Sequence, residues 1–328
     1  MGFEIRKNPD FSWSSSRSRL FEECELCYGL YYYTAHNGWL DSSTPLSQAA
    51  YRYKATRSVE QRLYQSITSA IYDHFYKDSF SKEAFKSEVR GDLNRAFKAS
   101  KDFKKKWYES PKHVPMLTEM IEGGELPKEL IQDISDKMSL SIDSFFDSKT
   151  VKEAKSCKIL NLSRFNKFKL KDFQKPGSLI DGLTVFVGIH LLYTRKDGKI
   201  VAVNFHTNDN ESHIDQLGSI ALYLLNEYDV SLSDIIIRDE LLESGTFVEH
   251  TVTKEDINEM FEVIADSVGM MAEYVVDGDI KKNEGLPIKE FIRNPDHDDD
   301  TAHVNCPYCQ LVKNDLKKYP NGVKSYQV

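Results

Sequence analysis

Three polar side chains recur in one oily stretch, Gly182–His206, GLTVFVGIHLLYTRKDGKIVAVNFH: His190, Asn204 and His206. Imidazole nitrogens suit Zn²⁺ or Mn²⁺, and an amide adds one neutral oxygen. Whether the three meet depends on the turn between Thr184–Tyr193 and Lys199–Thr207, two runs rich in Val, Ile, Leu and Phe. A two-residue Asp197-Gly198 turn sets His190 opposite Phe205. A three-residue loop, Lys196-Asp197-Gly198 with Gly198 left-handed, sets His190 opposite Asn204 and Gly188 opposite His206. The second register predicts that His190, Asn204 and His206 share a face. Val187, Ile189, Leu191, Val201, Val203 and Phe205 are then expected to form a core on the other face.

The second chemical feature is cysteine. Cys24-Glu25-Leu26-Cys27 and Cys306-Pro307-Tyr308-Cys309 stand at opposite ends of the chain. Two CxxC pairs make the four thiolates of a tetrahedral metal site, so their sulfurs are expected to converge on one centre, Zn²⁺ or a [4Fe–4S] cluster. Cys157 reads as a core cysteine.

The elements that must position these groups follow from periodicity. Ser12–Tyr33 reads as a capped helix whose start carries Ser14, Ser16, Arg17 and Arg19. Those residues suit either capping and solvation or contact with a phosphate backbone. Ser58–Phe75 is a second helix, with His74 expected on its exposed side. Further helices are expected over 82–147, broken near Ser110-Pro111, Gly123-Gly124 and Pro127. The run Lys101–Lys106, with Lys104, Lys105 and Lys106 beside Trp107 and Tyr108, is the most basic patch: a solvated face or a rail for nucleic acid. Lys155–Leu162 is a candidate first strand. Glu211–Tyr228 is a helix, Ser233–Arg238 and Thr246–Thr253 are strands, and Lys254–Val275 is an amphipathic helix.

The 328 residues, with net charge −8, allow one large domain or two small ones and argue against a generally basic nucleic-acid coat. No apolar run nears the ~20 residues of a membrane span, and the first residues do not resemble a signal peptide. With cysteines in CxxC pairs, a cytoplasmic, reducing setting without membrane contact is expected.

The order of these features resembles the PD-(D/E)XK nucleases, RecB-like branch, which includes CRISPR-associated exonucleases. Their hairpin runs roughly G-x-h-D-h-h-Y…D-G…h-h-V-(D/E)-x-K-T, with h apolar, and this chain has G-I-H-L-L-Y-T-R-K-D-G-K-I-V-A-V-N-F-H-T. The first helix is similar to the family's S-x-S-R-h-x-x-F-x-x-C helix, and Gln216-Leu217 to the start of its Q-h-x-x-Y. In the iron–sulfur members one cysteine comes from the first helix and the others from the C-terminus, in C-x-x-C-x5-C. Cys24, Cys306 and Cys309 match. Asp315 stands at the last position, and Cys27 could replace it.

The resemblance implies an α/β fold: a restriction-endonuclease-like core with a central mixed β-sheet flanked by helices, as one nuclease-like domain over 1–328. Within it lie a helical region at 40–150, the core sheet and helices at 151–275, and a cysteine segment at 290–320. The catalytic positions depart from the family. His190 replaces the Asp, Asn204 the Asp/Glu, His206 the Lys and Tyr72 a helix His, while Ile220 holds the Tyr slot after Gln216. Mg²⁺ wants hard oxygen ligands, so Mg²⁺ or Mn²⁺ is not expected at the hairpin. The expectation is a pseudonuclease that binds DNA or joins a larger protein complex, with Arg17, Arg19, Lys104, Lys105 and Lys106 as nucleic-acid contacts. The alternatives are an active nuclease holding another metal through His190 and His206, and an interaction or inhibitor subunit with no nucleic-acid role.

Overall fold

β5 (Ile200–His206, IVAVNFH) is apolar at five of seven positions and buried at every one, as a strand covered on both faces must be. The computed structural model describes residues 5–77, 81–109, 111, 114–121, 124–162, 166–173, 175–208 and 216–291. In it β5 lies at the centre of a five-stranded sheet. It pairs antiparallel with β4 (Leu191–Thr194) and parallel with β6 (Ile235–Leu241). β1 (Lys158–Asn161) and β7 (Thr246–His250) close the edges, giving the order β1-β4-β5-β6-β7. A parallel pair needs a crossover, and α9 (Leu217–Glu227) provides it. β2 (Asn166–Lys169) and β3 (Thr184–Val187) form a separate antiparallel pair.

Strand alternation sorts two cores. Leu191, Tyr193, Val201, Val203, Phe205 and Ile236 face α4 (Val59–Tyr76), α5 (Lys82–Asp102), α7 (Lys128–Asp147) and α8 (Lys149–Ala154). Leu192, Ala202, Ile235 and Ile237 face α9 and α10 (Lys254–Ala272), together with α1 (Ser15–Glu23), α2 (Glu25–Gly29) and α3 (Pro45–Lys54). The expected α/β architecture, a mixed sheet flanked by helices, is what forms. Among the described residues no helix is long and apolar enough to cross a membrane.

The N-terminal helix breaks where one continuous helix is expected. Cys24 is extended (φ −165°) and ends α1, and its sulfur accepts the Cys27 N–H at 3.4 Å to open α2. His74 is not an exposed histidine either: its ring stands edge-on to Phe75, Phe145 and Phe146.

The hairpin register follows the three-residue loop. Leu191 pairs with Val203 and Thr194 with Ile200. The Arg195 N–H donates to the Lys199 carbonyl at 2.8 Å, leaving Lys196-Asp197-Gly198 as the turn. Gly198 has φ +88°, a region glycine enters without penalty.

The first run is nevertheless not one strand. β3 is drawn away by the N-terminal segment: the Trp13 N–H donates to the Thr184 carbonyl at 2.9 Å, and the Phe186 N–H to the Trp13 carbonyl at 2.8 Å. Trp13 is anchored in turn by its indole N–H on Ser267 Oγ at 2.7 Å. The chain bends at Gly188–His190, where Asn166 Nδ2 donates to the Ile189 carbonyl at 3.2 Å. Val187 and Ile189 therefore join the core on the α9 side, and the single apolar face expected for the hairpin is split.

Candidate functional site

The bend at Gly188–His190 opens a pocket of about 920 Å³ between the start of α1, α4, α5 and β3. Its main wall is α4. Ser58 and Gln61 form a capping box at the start of that helix. Val59, Leu63, Ile67 and Ile71 go to the core, while Gln61, Tyr64, Gln65 and Thr68 line the pocket. Such a division is what a helix with one wet face gives.

His190 sits at the focus. The Phe205 N–H donates to its Nδ1 at 2.9 Å, and its Nε2 lies 3.0 Å from the Tyr64 hydroxyl. A nitrogen that accepts carries no proton, so in the neutral ring the proton is on Nε2, which donates to Tyr64 Oη. The ring also stacks on Phe205, with centroids 6.2 Å apart and planes at 21°.

Asn204 and His206 alternate with Val203 and Phe205 and face the α9 side. The Asn204 amide, oriented as its neighbours require, donates to the Gly188 carbonyl at 3.0 Å. His206 is fully buried, and its Nε2 donates to Asp239 Oδ1 at 2.8 Å; the other Asp239 oxygen accepts from His250 Nε2 at 3.2 Å. The pairing register is as expected, but the three side chains do not share one site. The bend turns the His190 ring onto Phe205 and Tyr64, away from the Asn204–His206 face.

The remaining candidates are dispersed. Gln216 lines the pocket at the start of α9. Tyr72 does not line it and stacks on Tyr76 at 6.0 Å. Arg17 lines the pocket but is buried, not a solvated or freely exposed contact. Its guanidinium donates to Ser12 Oγ at 3.1 Å and Tyr28 Oη at 2.8 Å, and lies over the Phe11, Tyr28 and Tyr32 rings. Arg19 is exposed. Lys104, Lys105 and Lys106 lie on α6 (Lys104–Glu109) and do not line the pocket. Cys24 and Cys27 are buried; Cys306 and Cys309 lie outside the described residues. Among the described residues no group of three or more His, Cys, Asp or Glu is arranged to hold a metal ion.

The charged wall comes from residues the sequence pattern did not single out: Arg57, Arg62, Arg95 and Asp92. Arg62 pairs with Asp92 at 2.6 Å and Arg95 with the same oxygen at 3.1 Å. Burial alone would raise the Asp92 carboxyl, but the Ser66 hydroxyl and the two arginines outweigh it and hold it below its ordinary value. Lys54, over the Tyr31 and Tyr32 rings, is pushed down to about 8 by burial and by the charges of Arg17 and Arg57. The polar stripe on α4, opposite its apolar one, was the available signal for this wall.

No family model matches the chain, and no curated protein matches it.

Proposed function

We infer that this chain is a catalytically degenerate PD-(D/E)XK nuclease-like protein that acts as a DNA-binding or assembly subunit. The observation that carries the reading is the state of His190: both ring nitrogens are committed, one to the Phe205 N–H and one to the Tyr64 hydroxyl. A metal ligand needs a free lone pair, and Mg²⁺ needs several oxygens besides. A β4–β5 hairpin followed by a crossover helix and a parallel strand is compatible with a restriction-endonuclease-like core. The pocket beside it offers arginines and hydroxyls, groups that contact phosphate rather than a cation. A four-thiolate Zn²⁺ or [4Fe–4S] site belongs to the same reading. Cys24 and Cys27 are buried, one at the N-cap of α2 and the other in its first turn, and Cys306 and Cys309 would complete the set.

The test is DNA affinity against salt. Binding through phosphates falls with log[salt], with a slope of about −0.7 per phosphate contacted on single strands and about −0.9 on duplex. A measurable, salt-steep affinity without cleavage supports the reading. No affinity for single- or double-stranded DNA at low salt removes its DNA-binding part.

A further inference from the structure

We propose that the pocket at the Gly188 bend is a metal-free site for a phosphomonoester dianion. Its charged lining is four arginines, Arg17, Arg57, Arg62 and Arg95, against two carboxylates, Glu88 and Asp92. That leaves two net positive charges, the complement of a phosphomonoester, which carries about −1.5 to −2 at pH 7. An internal phosphodiester carries one charge and matches the lining less well. Arg17 is 2% exposed, and its Nε has no hydrogen-bond partner among the described residues. Arg62 Nε is likewise buried and unpartnered there. Arg95, with a side chain 68% exposed, presents its remaining donors at the pocket mouth. The His190 tautomer adds to this. Because Nε2–H donates to Tyr64 Oη, the Tyr64 hydroxyl is held at the pocket wall with its proton turned from the imidazole. Arginines outnumber carboxylates two to one on this lining, and with the hydroxyls of Ser14, Ser15 and Ser16 beside them they favour acceptor oxygens over a cation.

The inference rests on the functional reading above only for its source of ligand. Inorganic phosphate, a nucleoside monophosphate and the phosphorylated end of a strand share the same chemistry. The experiment uses the full chain and fluorescence anisotropy with one labelled single-stranded oligonucleotide carrying either a 5′-phosphate or a 5′-hydroxyl. Inorganic phosphate and a nucleoside monophosphate serve as competitors, and each is also titrated alone by calorimetry. We expect at least tenfold tighter binding of the phosphorylated strand. Arg95→Gln, on a largely exposed side chain, and Tyr64→Phe, which removes one hydroxyl, should each shrink that preference with melting temperature unchanged. Binding of phosphate or the monophosphate by an unmodified pocket, with no oligonucleotide bound, upholds the site and removes the DNA reading. DNA binding that ignores the end group, with no heat from either competitor, overturns the site and leaves the DNA reading standing. Identical phosphate affinity in both variants also overturns it.

Discussion

If His190 is a structural acceptor rather than a ligand, replacing it has a calculable cost. Phe205 is fully buried, and its backbone N–H ends on His190 Nδ1 at 2.9 Å. His190→Leu keeps an apolar body against the Phe205 ring but removes the acceptor. A buried donor left unsatisfied costs about 1–3 kcal/mol. For a chain of 328 residues, at about 2.1 cal/mol/K of unfolding entropy per residue, that is roughly 1.5 °C in Tm per kcal/mol. His190→Asn is the control, because Oδ1 of Asn stands where Nδ1 of His stands, two bonds beyond Cβ. It should lose only the stacking and the Tyr64 contact, below about 1 kcal/mol. Urea unfolding gives both values, and amide exchange at Phe205 localises them: about 1.4 kcal/mol of lost protection is a tenfold faster local exchange. A leucine variant as stable as wild type, with unchanged exchange at Phe205, would refute the structural role assigned to the imidazole.

Arg238 is fully buried and donates to Glu153, Glu249, Thr150 and Tyr193, tying β6 to α8 and β7; Arg238→Met should cost about 1–3 kcal/mol in urea unfolding, because four acceptors lose a charged donor while Lys149 and Arg195 still face the two carboxylates. Burial raises the Glu249 carboxyl, but Lys149 and Arg238 hold it below its ordinary value. Its contribution is present above the unfolded value of about 4.3 and is lost as pH falls through the depressed folded value, so acid titration of wild type should show a transition there that Arg238→Met weakens. The acylation rate of Lys54, lowered to about 8 by burial, should level off as pH rises past that value, as read by peptide mass mapping. Its folded value lies below the unfolded value of about 10.4, so it makes stability rise with pH between the two, and Lys54→Met should flatten that rise.

What could be read in the sequence was local. Lys196-Asp197-Gly198 carries its own turn signal, and with it came the β4–β5 register. The helix expected from Lys254 starts there, and Thr253 and Asp256 cap it across one turn. What could not be read was set by contacts distant in the chain. The bend at Gly188 depends on Trp13, whose indole is held by Ser267. The apolar run gives no sign that its first half belongs to another sheet. Arg17 looked like a surface cation because the rings that bury it, Phe11, Tyr28 and Tyr32, converge only after α1 breaks at Cys24. Asp92 and Arg95 are neighbours three residues apart on α5, but Arg62 reaches Asp92 only through the packing of α4 on α5. His206 read as a member of the hairpin site, yet its partner Asp239 lies on a strand paired only after the crossover.

On the proposed reading, the β4–β5 hairpin does not support metal-dependent cleavage. The direct measurement is a nuclease assay on single- and double-stranded DNA in Mg²⁺, Mn²⁺ and Zn²⁺, with wild type and His190→Ala side by side. Without paired carboxylates to hold the ion or a lysine beside the developing charge, the account predicts no cleavage by either protein in any of the three ions. Cleavage by wild type that disappears in His190→Ala would contradict it and make His190 a working ligand.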